Sequence, residues 1–199
     1  MPSTGIIEHI FKHPFIDVTI ANWKKYPNVR RPDLVSVDII DKYVDPITGE
    51  LKVKRLLIIE GVNYPALVKK VTGWNVGFFL EKTTINLDQP QLQMKSENLT
   101  FSNILKLQET CTYTPSKQDP EQSTLFTQEA KVTAFPYGLA NLIESVCQKS
   151  FLKNAEKGQS IMEETIQTVR KEMALLNNKT KFEIMKAKQR VSKAVDDAE

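Results

Sequence analysis

The sequence predicts an α+β fold, a meandering antiparallel sheet covered by one long C-terminal helix. Three observations predict it. Runs of period-2 alternation are joined by short turns rich in Pro, Gly, Asp and Asn. No strand–helix–strand rhythm appears, which excludes a doubly wound parallel sheet. From Gly138 the apolar period changes from 2 to 3.6.

Ile6 to Phe11 reads as a short first strand, with Ile6, Ile10 and Phe11 as its apolar content. His13-Pro14 breaks it, and proline suits the first helical position. Phe15, Val18, Thr19, Asn22 and Trp23 then fall on one helical face. Tyr26-Pro27-Asn28 ends that helix, because a residue before proline avoids the α conformation. Val35, Val37 and Ile39 alternate toward one face, as do Leu51, Val53, Arg55, Leu57 and Ile59. Asp45-Pro46-Ile47-Thr48-Gly49 between them is a turn, so the two runs form a hairpin. Further strands follow at Gly77 to Leu87, Leu92 to Leu99, Ile104 to Tyr113 and Thr124 to Phe135. Long strands with short links make the sheet antiparallel.

Gly61 to Gly73 is different: Tyr64, Pro65, Leu67, Val68, Lys69 and Lys70 form a short amphipathic stretch between two glycines. It is either a plain connector on the sheet or a lid whose apolar side covers a cavity or touches lipid. After Gly138, the residues Leu139, Leu142, Ile143, Val146, Cys147, Ser150, Asn154, Gly158 and Ile161 lie on one stripe, and the helix runs past Met173. Such a helix lies across the concave face of the sheet, and the space between two layers is where ligands sit. Residues 1–175 form the domain. Residues 176–199 are a lysine-rich extension, with Ile184, Ala187, Val191, Ala194 and Ala198 as a thin stripe. That extension is read as a weak, solvated, helical or frayed segment, or else as a surface for a partner helix or membrane.

The 199 residues suffice for one sizeable core. A net charge of +3 is too small for a nucleic-acid-binding face, though it suits transient contact with acidic membranes. Cys111 and Cys147 form no metal or redox motif and read as buried thiols. No run approaches the ~20 apolar residues that span a bilayer. The N-terminus resembles neither a signal nor a transit peptide, so sequence signals alone predict a cytosolic protein unless a partner carries it elsewhere.

No catalytic, metal or cofactor motif is present. His9 and His13 read as structural or exposed. Glu60, Glu81, Glu109 and Glu129 fall inside strands and read as outward-facing. A carboxylate such as Glu60 or Glu109 facing a cavity, with a raised pKa, is the one enzyme hypothesis the residues allow. A third reading is a filled core with a partner-binding tail. Polar interruptions of apolar faces are more telling. Arg55 shares its face with four aliphatic residues and needs an anion there, either Glu60, Glu81 or Glu109, or a ligand phosphate. Ser150 and Asn154 interrupt the stripe of the long helix and need partners too. Apolar walls with a few polar groups suit an amphiphile.

Several runs carry a resemblance: Phe11-Lys-His-Pro-Phe15, Ala21-Asn-Trp-Lys-Lys-Tyr-Pro-Asn28, Val35-Ser-Val-Asp38, Asp45-Pro46 with Gly49, and Lys54-Arg-Leu-Leu57. Ser96 to Phe101, Glu109 to Pro115, Thr124 to Ala130 and Phe151 to Gly158 extend it over residues 1–175. Together they resemble the PRELI-like/slowmo family. The resemblance implies a START-like fold, in which about seven antiparallel strands and a long C-terminal helix enclose a lipid. It implies non-enzymatic phospholipid transfer across the mitochondrial intermembrane space, without a cofactor. It also implies a heterodimer with a small helical partner bearing two Cys-x9-Cys pairs. Lys25, Tyr26, Arg55, Asn154 and Lys157 match family pocket positions, and Gly61 to Gly73 matches the family lid. Ile59 and Ser150 stand where phosphatidic-acid carriers have lysines, which favours a head group bearing its own ammonium, such as phosphatidylserine.

Overall fold

The computed structural model describes residues 3–61, 75–134 and 140–196; the side chains of 3–4, 140–150, 182 and 187–196 lie outside that description. The elements run β1 (Ser3–Phe11), α1 (Phe15–Lys24), β2 (Leu34–Val44), β3 (Leu51–Glu60), β4 (Val76–Asn86), β5 (Gln91–Asn98), β6 (Leu105–Pro115), β7 (Thr124–Ala134) and α2 (Ala140–Asp196). Seven strands make one curved antiparallel sheet in the order β1-β7-β6-β5-β4-β3-β2. The START-like architecture that the resemblance implies is the one observed.

Local chemistry sets the connections. In the β2–β3 turn, Asp45 Oδ1 accepts from the amides of Ile47 and Thr48, and Gly49 takes the left-handed φ of +68° that an L side chain resists. The Lys52 ammonium hydrogen-bonds Asp45, and with those two amides it lowers the carboxyl pKa to about 2. Between β5 and β6, buried Asn98 donates to the carbonyls of Thr100 and Leu105 and accepts from the amide of Leu107. One side chain thus satisfies the polar backbone of a whole turn. In α1, Asp17 in the first turn and Lys24 in the last complement the helix dipole.

The core fills one end of the concave face. Ile85, Leu92, Met94, Cys111, Tyr113 and Phe126 project from the sheet onto Phe11, Phe15, Val18 and Ala21. Met162, Ile166 and Val169 of α2 close it from above. Each fully buried aliphatic there is worth about 1.5–3 kcal/mol. A hydrogen bond, His13–Glu163, and two ion pairs, Lys24–Glu172 and Arg170–Asp17, tie α2 to the first segment. Their exposed members limit them to positioning the helix rather than holding it.

Three expectations change. Val35 and Ile39 are exposed: the register irregularity at Leu34/Ser36 takes Val35 out of the ladder and Leu34 is buried instead, while Ile39 keeps its place opposite Arg55 but stands uncovered on the edge strand β2. β1 begins at Ser3, since it pairs with β7 over Ser3↔Val132 to Phe11↔Thr124. Pro14 is the residue before the helix rather than its first residue. Of the two readings of the extension, the described residues after Leu176 take the helical one: α2 is one helix of 57 residues, about 85 Å long. From Lys171 to Lys186 its described side chains are all exposed, so the helix runs on beyond the core.

Candidate functional site

Successive strands of the sheet share one row of directly opposed residues. It runs Ile39, Arg55, Glu81, Ser96, Glu109, Ala130 and Gly5 from β2 to β1. On one side of this polar belt lies the core. On the other lie Leu57, Ile59, Phe79, Leu105, Leu107 and Val132, which belong to the same inner face by period 2. Leu105 and Val132 are buried in a second, small cluster with Leu107, while Leu57, Ile59 and Phe79 are only half-buried. With the belt and α2 they line an open cavity of about 900 Å³. That volume is at the large end for small-molecule sites.

Lys25, Tyr26, Ile59, Asn154 and Lys157 all line the cavity. Lys25 lies 5.4 Å from the centre of the Tyr26 ring. Neither Lys25 nor Lys157 has a carboxylate within ion-pair distance among the described residues, and the same holds for Lys153 on the rim. Asn154 is an exposed rim residue of α2, so it does not interrupt a buried stripe. Among the described side chains of α2, the buried ones are Ala155, Ile161, Met162, Ile166 and Val169. Of the lid, only Gly61 is described; it has φ +65° and lines the cavity mouth. Tyr64, Pro65, Leu67, Val68, Lys69, Lys70 and Gly73, and the side chains of Cys147 and Ser150, lie outside the described residues.

Arg55 is the main correction among the site residues. It is buried, as the alternation demanded, but its Nε and Nη2 both donate to Glu81 Oε1, at 2.8 and 2.5 Å. Its guanidinium also stacks on Trp23, 4.8 Å from the ring centre. It lies behind the cavity wall with its charge already matched, which favours the protein-carboxylate alternative over a ligand phosphate.

Glu81 and Glu109 face inward, contrary to the outward reading of the strand glutamates; Glu60 and Glu129 are exposed as expected. Alternation with Leu105, Leu107, Cys111 and Tyr113 puts Glu109 on the inner face. Its Oε1 accepts from the Gln128 amide, and no cation pairs with it among the described residues. Burial pushes its pKa up; the Gln128 hydrogen bond and the charges of Lys25 and Arg31 offset this only in part. Cys111 and Tyr113 beside it are held protonated by burial. Arg30 and Arg31 were not anticipated. Arg30 reaches Ser160 and Glu164 on α2. Arg31 grips Asp33 with Nε and Nη2 at 2.8–3.0 Å. Burial opposes ionisation of Asp33, yet Arg31 holds its pKa below the usual range.

The raised pKa of Glu109 has a consequence for stability. The folded protein binds that proton more tightly than the unfolded chain. Stability from this group therefore falls as pH rises above the ordinary value of 4.5. Glu109→Gln keeps the shape and removes the charge. It is expected to raise the urea midpoint of the empty protein at pH 7 and to flatten the pH dependence above pH 4.5. An unchanged pH dependence would show that Glu109 is well solvated.

The PRELI-like family matches residues 17–172. Protein slowmo homolog of Dictyostelium discoideum is 43% identical over 172 residues, 86% of this chain and 75% of that protein. Protein UPS2, mitochondrial, of Saccharomyces cerevisiae is 35% identical over 153 residues, 75% of this chain and 66% of that protein. Among solved structures, TTHA0849 from Thermus thermophilus aligns at a TM-score of 0.57 and 11% identity, covering 83% of this chain and 98% of that one. That likeness bears on the fold alone. The cavity, the fold and these relatives agree: the chain belongs to the PRELI-like family.

Proposed function

We propose that this chain is a non-enzymatic carrier of phospholipid between mitochondrial membranes, with phosphatidylserine as its preferred cargo. The observation that carries the reading is the open cavity, apolar along Leu57, Ile59, Phe79, Leu107 and Val132 and rimmed by Lys25, Lys153 and Lys157 without paired carboxylates among the described residues. Acyl chains fit the first surface and a phosphate the second. Burying a methylene is worth ~0.8 kcal/mol, much as in the bilayer it leaves, so cargo exchanges downhill in either direction without an energy source.

The name of the yeast relative supports a mitochondrial location. The family resemblance supports the intermembrane space and the small twin Cys-x9-Cys partner. Uncharged Ile59 on the wall, with Ser150 in the sequence of α2, supports a head group less dependent on cations than phosphatidic acid. Glu109 is the observation that favours an enzyme instead. Against it, no described lining residue is a histidine, and Cys111 and Tyr113 are held protonated.

The test is transfer between liposomes of defined head group, with the partner present. Phosphatidylserine moving faster than phosphatidic acid supports the reading. Preference for phosphatidic acid would keep the carrier and overturn the argument from Ile59 and Ser150. Turnover of a small substrate, lost in Glu109→Gln, would favour the enzyme.

A further inference from the structure

We infer that Glu109, with Gln128 fixing its carboxylate, is an ammonium-binding subsite in the cavity; this rests on the carrier reading above. A cationic rim explains how a phosphate is held. It does not explain a carboxylate on the cavity floor, which repels that phosphate. Of the other acids that line the cavity or stand on the belt, Glu156 is an exposed rim residue of α2, and the two inward ones are already matched. Asp33 is gripped by Arg31, and Glu81 by Arg55. Glu109 has only the neutral Gln128 amide among the described residues. A half-buried carboxylate on a cavity floor, without a counter-ion, is a place for a cation that reaches it.

The row geometry leaves room for one. On either side of Glu109 stand Ser96 and Ala130; beyond Ala130 the space over Gly5 is taken by the Phe151 ring, so the room lies next to Glu109 itself. Adjacent strands lie about 4.8 Å apart, so a long acidic side chain rises between two short ones. Gln128 Nε2 holds one carboxylate oxygen, which orients the group rather than neutralising it. The charges of Lys25 and Arg31 act on the same carboxylate. The cavity therefore sets cationic groups beside an unpaired anionic one. A ligand carrying both an ammonium and a phosphate matches that arrangement, whereas a phosphate monoester matches only half of it. The chemical class is an aminophospholipid.

The experiment compares native protein and Glu109→Gln, each with the partner bound, in liposome transfer of phosphatidylserine and of phosphatidic acid. Glu129→Gln, exposed on β7, is the control. A charge-assisted hydrogen bond lost from an enclosed site predicts a phosphatidylserine rate lower by roughly ten- to hundred-fold in Glu109→Gln. Phosphatidic acid transfer should hold or rise, and the control should match the native protein. Equal loss of both lipids, or an unchanged ratio, overturns the subsite and leaves the carrier reading standing. Transfer of neither lipid by the native protein overturns the carrier reading, and the subsite with it.

Discussion

Arg55→Ala is expected to cost about 3–5 kcal/mol of stability, the usual result of stranding one member of a buried ion pair. Arg55 and Glu81 are 5% and 7% exposed, so the remaining carboxylate loses its counter-ion where water reaches it only from the cavity side. The substitution removes two hydrogen bonds to Glu81 Oε1 and, among the described residues, leaves the weaker one from Thr83 Oγ1 at 3.1 Å. It also removes the plane that packs on Trp23, and so loosens α1 from the sheet. Urea denaturation measures the loss. Arg55→Met combined with Glu81→Leu should recover most of it, because a desolvated pair is often no better than an apolar pair of similar volume. If Arg55→Ala costs under about 1 kcal/mol, the site is wetter than its burial implies.

Ala130→Trp is expected to lower lipid transfer at least tenfold while leaving the fold intact. Ala130 sits on the inner face of β7 between Glu109 and Gly5, and it lines the cavity. An indole there crosses the polar floor where a head group would rest. Because Ala130 lines the cavity, the indole can turn into it, with the neighbouring Phe151 ring over Gly5 giving way, rather than overpack a filled core. The control is the urea midpoint, which should stay near the native value. Native transfer rates in this variant would mean that cargo does not occupy the floor.

Much of this was legible from residue order, for reasons that particular residues make plain. Arg55 announced a buried anion because four aliphatic neighbours share its parity, and the structure supplies Glu81. Glu109 carried the same signal in its alternation with Leu107 and Cys111, yet its charge suggested solvent. The cavity resolves that conflict, since an inward strand position can face open space rather than core. The edge strand β2 was misread because the irregularity at Leu34/Ser36 takes Val35 out of register and Ile39 is uncovered at the sheet edge, and nothing in Val35, Val37 and Ile39 marks either. The pairing of β1 with β7 joins segments far apart in the chain, which local pattern cannot specify. The extension lacks Gly and Pro, and that absence was a better guide to its helix than its thin apolar stripe.

The most direct test of the carrier reading is native mass spectrometry of the protein purified with its partner from a membrane-containing source. The reading predicts one phospholipid per chain, enriched in phosphatidylserine, and its loss in Ala130→Trp. A chain of protein mass alone, which also takes up no phospholipid from liposomes, would contradict it.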